Sequence, residues 1–157
     1  MKSILLFFAL TVAFTSNAQT FVHGDEDFWS DTPLMTIHNG HILEGDNRMW
    51  NDAIYTASNN KIYEGFSTSV FDIKYNYQNG VLCEGESNST FDVVYTVKNG
   101  KIFKGDSTFP MDCVYTFYDN QLFRGDSKLI FDRVLWFDGN APTTLEVLAL
   151  IIAMQPE

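Results

Sequence analysis

The chain has 157 residues, enough for one domain with a sizeable core, and 45% of them are hydrophobic. Its formal charge is −10, from 20 Asp and Glu against 10 Lys and Arg, and the basic residues form no run. That excludes a nucleic-acid binder, whose phosphate contacts need clustered Lys and Arg, and it disfavours electrostatic docking on anionic lipid.

The first element in chain order is a leader. Lys2 supplies a positive start, Ile4 to Phe14 is an apolar run, and Ser16-Asn17-Ala18 places small residues at −3 and −1 of a cleavage point before Gln19. These features predict a secretory signal peptide over 1–18. The apolar run is shorter than the roughly 20 residues a membrane span needs. No Cys follows it, so the cleavage site is not one for lipid attachment. The expected mature chain, 19–157, is exported to the periplasm or the cell exterior.

A repeat of 20 residues fills the middle of the chain. Gly45, Gly65, Gly85, Gly105 and Gly125 mark it, and Asp52, Asp72, Asp92, Asp112 and Asp132 keep the same step. So do Tyr55, Tyr75, Tyr95 and Tyr115, with Leu135 next in phase. Asn39-Gly40, Asn59-Asn60, Asn79-Gly80, Asn99-Gly100 and Asp119-Asn120 supply one turn per repeat. Such dipeptides tolerate the positive φ that a two-residue type I′ hairpin turn demands. Each unit therefore reads strand, tight turn, strand, loop, as in Asp92 to Lys98, Asn99-Gly100, and Lys101 to Gly105. The closing glycine is expected at a strand exit, and the Ser/Thr-rich link after it is loop chemistry.

Side-chain direction follows from the period of two. Tyr95, Val97 and Ile102 share an apolar face, as do Tyr55, Ala57 and Ile62, then Tyr75, Tyr77 and Leu82, then Tyr115, Phe117 and Leu122. That face is expected inside. Val94, Thr96 and Phe103 fall on the other, mixed face.

The flanks are half-repeats. Thr20 to Asp25 imitates a second strand, and Asp132 to Phe137 imitates a first strand. Their pairing would close a ring and remove both exposed edges. The count is five covalent hairpins and one closed by the termini, about 12 strands.

The last element spans 143–154 and is apolar on all sides, from Thr143-Thr144 through Leu150-Ile151-Ile152. Thr143 and Glu146 have the spacing of a capping box. A helix apolar all round is buried all round or sits in membrane, and this one is too short to span. A ring of 12 strands has a lumen wider than its own side chains fill. The fold class is thus all-β with one C-terminal helix: a closed, shallow barrel of antiparallel hairpin repeats, with the helix as its central plug.

The tandem Lys-Ile-Phe/Tyr-x-Gly-Asp-Ser and Asp-x-Val-Tyr-Thr motifs, closed by an apolar helix, resemble the β-flower proteins over about Thr20 to Met154. These are bacterial shallow barrels of hairpin petals. The five covalent hairpins match the five-fold member of the family; counting the pair closed by the termini would make six. In outline the family is similar to the tubby C-terminal and scramblase-like barrels. That likeness implies a role at lipid or a membrane surface, although the basic patch of a phosphoinositide binder is missing here.

Candidate chemistry is sparse. The repeated Asp residues, with Asp46, Asp106 and Asp126, read as turn residues: one carboxylate per petal does not converge on a Ca²⁺, which wants six to eight oxygens. His23, His38 and His41 lack the third ligand of a zinc site. No nucleophile–base set or distinguished carboxylate pair stands out, so no enzyme, cofactor or metal is expected. Cys83 and Cys113 are separated by a whole hairpin and fall on opposite faces by this phase, so both thiols are expected free. Asn88-Ser89-Thr90 has the form of a glycosylation sequon. Trp50, Tyr63, Phe103 and Phe123 are aromatics of the outer face. They either form an exposed binding surface or pack between petals. The functional expectation is an exported, non-enzymatic envelope protein associating with a membrane surface or lipid. The alternative is a secreted module that binds protein or glycan.

Overall fold

The computed structural model describes residues 19–25 and 32–155, so the leader expected over 1–18 lies outside the described residues. The chain forms β1 (Gln19–Gly24), β2 (Met35–His38), β3 (His41–Glu44), β4 (Tyr55–Ser58), β5 (Lys61–Glu64), β6 (Ile73–Gln78) and β7 (Val81–Glu84). It continues through β8 (Val93–Lys98), β9 (Lys101–Lys104), β10 (Cys113–Tyr118), β11 (Gln121–Arg124) and β12 (Arg133–Gly139), and ends in α1 (Thr144–Ala153). The strands make one closed antiparallel barrel in sequence order, with β1 bonded to both β2 and β12.

Five hairpins are covalent and turn as their sequences require. Asn39, Asn59, Asn79, Asn99 and Asp119 hold φ near +50°, and Gly40, Asn60, Gly80, Gly100 and Asn120 follow with positive φ. The sixth is made by the two ends of the described chain: Thr20 lies opposite Gly139 and Gly24 opposite Leu135. Two side-chain links pin it. At the turn end Thr20 Oγ1 donates to the Asn140 carbonyl at 2.7 Å. At the other end, where the links between petals begin, Arg133 pairs with Asp25 at 2.7 Å.

The inward face carries three rings of side chains. One is Val22, Ile42, Ile62, Leu82, Ile102 and Leu122, all fully buried. The second is Ile37, Ala57, Tyr77, Val97, Phe117 and Phe137, and the third is Met35, Tyr55, Tyr75, Tyr95, Tyr115 and Leu135. All of these pack on or against one core cluster that includes Val147 to Ile152 of α1. The helix is about 15 Å long and fills the lumen as a plug. It runs closest to β3, β4 and β5. Ala57 explains the offset: it is the smallest member of its ring, while Tyr77, Phe117 and Phe137 occupy the rest of the circumference. Thr143 and Glu146 form the expected capping box, which satisfies the N–H groups of both residues at the helix start. At its far end Gln155 Nε2 donates to the Tyr95 hydroxyl.

Two face assignments are corrected by a bulge that recurs between petals. Cys83 pairs with Val93 while Leu82 pairs with Tyr95, so Val94 is the extra residue and packs on the core rather than outside. The same shift between Cys113 and Tyr115 puts Cys113 opposite Phe103, on the outer face. Both cysteines therefore lie on that face, and both thiols are free and buried.

The closing glycines hold φ of +60° to +65°. A Cβ on Gly105 would meet nothing within 4 Å, whereas one on Gly100 would sit 2.9 Å from the Phe117 carbonyl oxygen. Gly105→Ala is therefore expected to cost about 1 kcal/mol, the left-handed penalty alone, and Gly100→Ala distinctly more. Urea midpoints of the two variants test this order; equal costs would count against the close approach of neighbouring petals.

Candidate docking surface

The links between petals do not hang free. Each leaves its glycine and folds back over the outer face. Thr36, Thr56, Thr96 and Thr116 donate through Oγ1 to the carbonyls of Gly45, Gly65, Gly105 and Gly125 at 2.7–2.8 Å. Asn76 takes the same place in its petal and donates to Asn88 Oδ1 at 2.8 Å. Links also reach an earlier petal: Glu86 binds Lys61 and Asp126 binds Lys101, both at 2.6 Å.

The repeated aspartates close these links. Ser67, Ser87, Ser107 and Ser127 each donate to the Asp five residues on, at 2.5 Å. Asn47 does the same for Asp52 at 3.0 Å. Each carboxylate is held within its own link, as a turn residue would be. Among the described residues no group of three or more His, Cys, Asp and Glu could hold a metal ion.

This outer layer corrects the exposure expected of three aromatics. Tyr63, Phe103 and Phe123 are only 4–5% exposed. They lie opposite Thr56, Thr96 and Thr116 under the links. Of the four residues considered, Trp50 alone is open to solvent. Its ring stands 6.5 Å from Phe66, which in turn lies 4.8 Å from His41.

The exposed apolar surface is elsewhere. Five links end in a short 3-10 turn before the next first strand; the first, Trp50–Asp52, carries the polar Asn51 at its middle, and the other four lie at Val70–Asp72, Thr90–Asp92, Pro110–Asp112 and Ile130–Asp132. In these four the middle residue is a large apolar side chain that stands out from the protein. Phe71, Phe91, Met111 and Phe131 are 93–96% exposed. Val70, Phe109, Leu129 and Ile130 beside them are more than half exposed. Equivalent positions of a closed ring lie at one level, so these tips form a crown. It stands at the link end, where Phe131 borders a cavity of about 470 Å³ with Met154, Leu135 and Arg124. The sequence signal was available: Phe71, Phe91, Met111 and Phe131 keep the 20-residue step, each one residue before a repeated Asp. Among the described residues no helix is long and apolar enough to cross a membrane.

Comparison with known families bears directly on this ring. Residues 22–151 match the family described as 6-fold beta flower protein. The chain belongs to that family. Its six petals are the five covalent hairpins and the one built by β1 and β12. That corrects the five-fold count: the pair closed by the termini is a full petal. No curated protein and no solved structure matches the chain.

The sixth petal of this beta flower differs chemically from the rest. Where three others place Thr opposite an aromatic, and the remaining two pair Thr36 with Leu43 and Asn76 with Cys83, it stacks His23 on Trp136 with ring centroids 4.1 Å apart. His41 donates or accepts at Thr56 Oγ1, 2.9 Å from its Nδ1. Burial, and then the neighbouring His38, hold the His41 pKa below its ordinary 6.5. Burial pushes the Cys83 thiol up, which disfavours its thiolate.

Two outcomes follow. Ellman titration of the native protein without reductant is expected to find neither thiol reactive, and titration in denaturant to find both. A blocked pair in denaturant would mean a disulfide. Because the unfolded chain takes up the His41 proton first, that group's contribution to stability is complete above pH 6.5 and lost as pH falls below it. The urea midpoint of His41→Gln should accordingly fall less than that of the parent between pH 7.5 and 5.5; parallel profiles would refute this.

Proposed function

We propose that the protein is an exported, non-enzymatic envelope protein that seats the link end of its barrel on a membrane surface. The crown of Phe71, Phe91, Met111 and Phe131 carries this reading. Each such side chain taken out of water is worth about 1.5–3 kcal/mol, and soluble monomers rarely expose so many large apolar groups at one rim without a use for them. Several tips acting together give reversible anchoring of the kind a lipid chain provides. With a net charge of −10 the contact is apolar rather than electrostatic. The outline shared with tubby-like and scramblase-like barrels points the same way, as an analogy of fold. The leader over 1–18 supports export, with cleavage after Ala18.

A second reading is a secreted module that binds glycan or protein. The observation that favours it is the tilted pair of Trp50 and Phe66, 56% and 48% exposed, which offers a shelf for a sugar ring. Loss of glycan-array signal in Trp50→Ala would support this reading.

Flotation with neutral phosphatidylcholine vesicles separates the two. The protein is expected to co-float at both low and high salt. A variant carrying Phe71→Ser, Phe91→Ser and Met111→Ser together should lose about tenfold or more in partitioning while keeping its thermal midpoint, since none of the three is buried. No flotation on vesicles of any composition sinks the membrane reading.

A further inference from the structure

A charged feature at the same end does not enter the docking reading. The last residue of each second strand lines the lip of the barrel. Around the ring these are Gly24, Glu44, Glu64, Glu84, Lys104 and Arg124. They face the lumen side, because each pairs across its hairpin with a residue of the inner ring: Glu64 with Tyr55, Glu84 with Tyr75, Lys104 with Tyr95, Arg124 with Tyr115. All five charged ones are exposed. The lip thus has an acidic arc and, next to it, a basic arc. Glu64 is engaged by Lys74 at 2.9 Å. Among the described residues Glu44, Glu84, Lys104 and Arg124 hold no ion pair.

We propose that the link end is self-complementary, and that a second copy of this chain docks on it lip to lip about a two-fold axis lying in the plane of the ring. Such an interface uses one patch twice, so every acidic position must be carried onto a basic or neutral one. The axis that does this passes between petal β6–β7 and petal β8–β9. It sets Glu84 opposite Lys104 of the second copy, Glu64 opposite Arg124, and Glu44 opposite the uncharged Gly24 position. Of the in-plane axes of the ring it is the one that brings no like charges together among these six positions. The crown obeys the same rotation. Phe91 lies on the axis and meets Phe91 of the second copy, Phe71 meets Met111, and Phe131 falls on the polar Asn51 turn. The charges set register and the tips supply apolar burial.

The pairing goes beyond the docking reading and uses the same tips. In water a second copy covers the crown, and a bilayer competes for it. Sedimentation velocity on the purified protein, without lipid, from low to high micromolar, tests the proposal. A reversible dimer is expected. Glu84→Lys and Lys104→Glu should each raise its dissociation constant by about tenfold or more. The double variant carrying both reversals restores the Glu–Lys pairs and should return close to the parent value. That rescue also shows that neither single change acts by unfolding. Phe91→Ser should weaken the dimer as well. A protein monomeric throughout overturns the proposal, and so does a dimer indifferent to both single reversals. Because no lipid is present, either result leaves the membrane reading to be judged by flotation alone.

Discussion

Twelve strands enclose more space than their own side chains can fill, and the rest of this structure follows from how that space is occupied. In barrels of about eight strands the inward residues meet at the axis; in wider ones they do not. Here α1 supplies the missing volume. A helix in a hydrophobic lumen must be apolar on every side, which is why Leu145 to Ala153 has no polar stripe beyond Glu146 at its capped start. The rings around it then need not be uniform. Ala57 makes room on one side, and Tyr77, Phe117 and Phe137 take up the slack on the others. The sixfold backbone is regular while its filling is not.

The same economy governs the outside. A shallow barrel whose outer wall faced water would expose the unpaired polar groups of its long links and the aromatics beneath them. Folding each link back over its petal solves both problems. The Thr hydroxyls satisfy the glycine carbonyls, Ser and Asp close the link on itself, and Tyr63, Phe103 and Phe123 become a second, thinner core. Lys61 with Glu86, and Lys101 with Asp126, tie a link to an earlier petal. These pairs are partly exposed and individually weak, but they couple neighbours that otherwise meet only through strand pairing. A link of fixed length is needed to span this path, which accounts for the unbroken 20-residue step.

Much of this was legible from residues alone. The Asn-Gly turns, the half-repeats at Thr20–Asp25 and Asp132–Phe137, and the Thr143/Glu146 box specify hairpins, closure and helix by local chemistry, and local chemistry survives into the fold. What failed was non-local. The faces of Val94 and Cys113 depend on a bulge against the preceding petal, and nothing in the sequence of one hairpin announces it. Tyr63, Phe103 and Phe123 alternate as solvent-side residues should; their burial comes from a loop lying over them, which alternation cannot register. The crown is the converse case. Phe71, Phe91, Met111 and Phe131 keep the 20-residue step over four successive repeats, and repetition of large apolar residues reads as core until the short turn that lifts them away is seen.

The petal formed by β1 and β12 has a consequence for how the molecule comes into being. Every other hairpin joins neighbours in the chain and can form as soon as it is made. This one joins residues some 120 positions apart, through Thr20 and Asn140, and the cost of closing so long a loop precedes any reward from it. A chain emerging N-terminus first can therefore raise five petals in succession but must keep an open seam until β12 appears, with the helix directly behind it. The order suits the architecture. An arc of petals can still admit a plug from the side, whereas a sealed ring could be entered only along its axis. Closure last means that the lumen is never sealed empty, and that a chain stopped before β12 leaves two raw edges for proteases and chaperones to find.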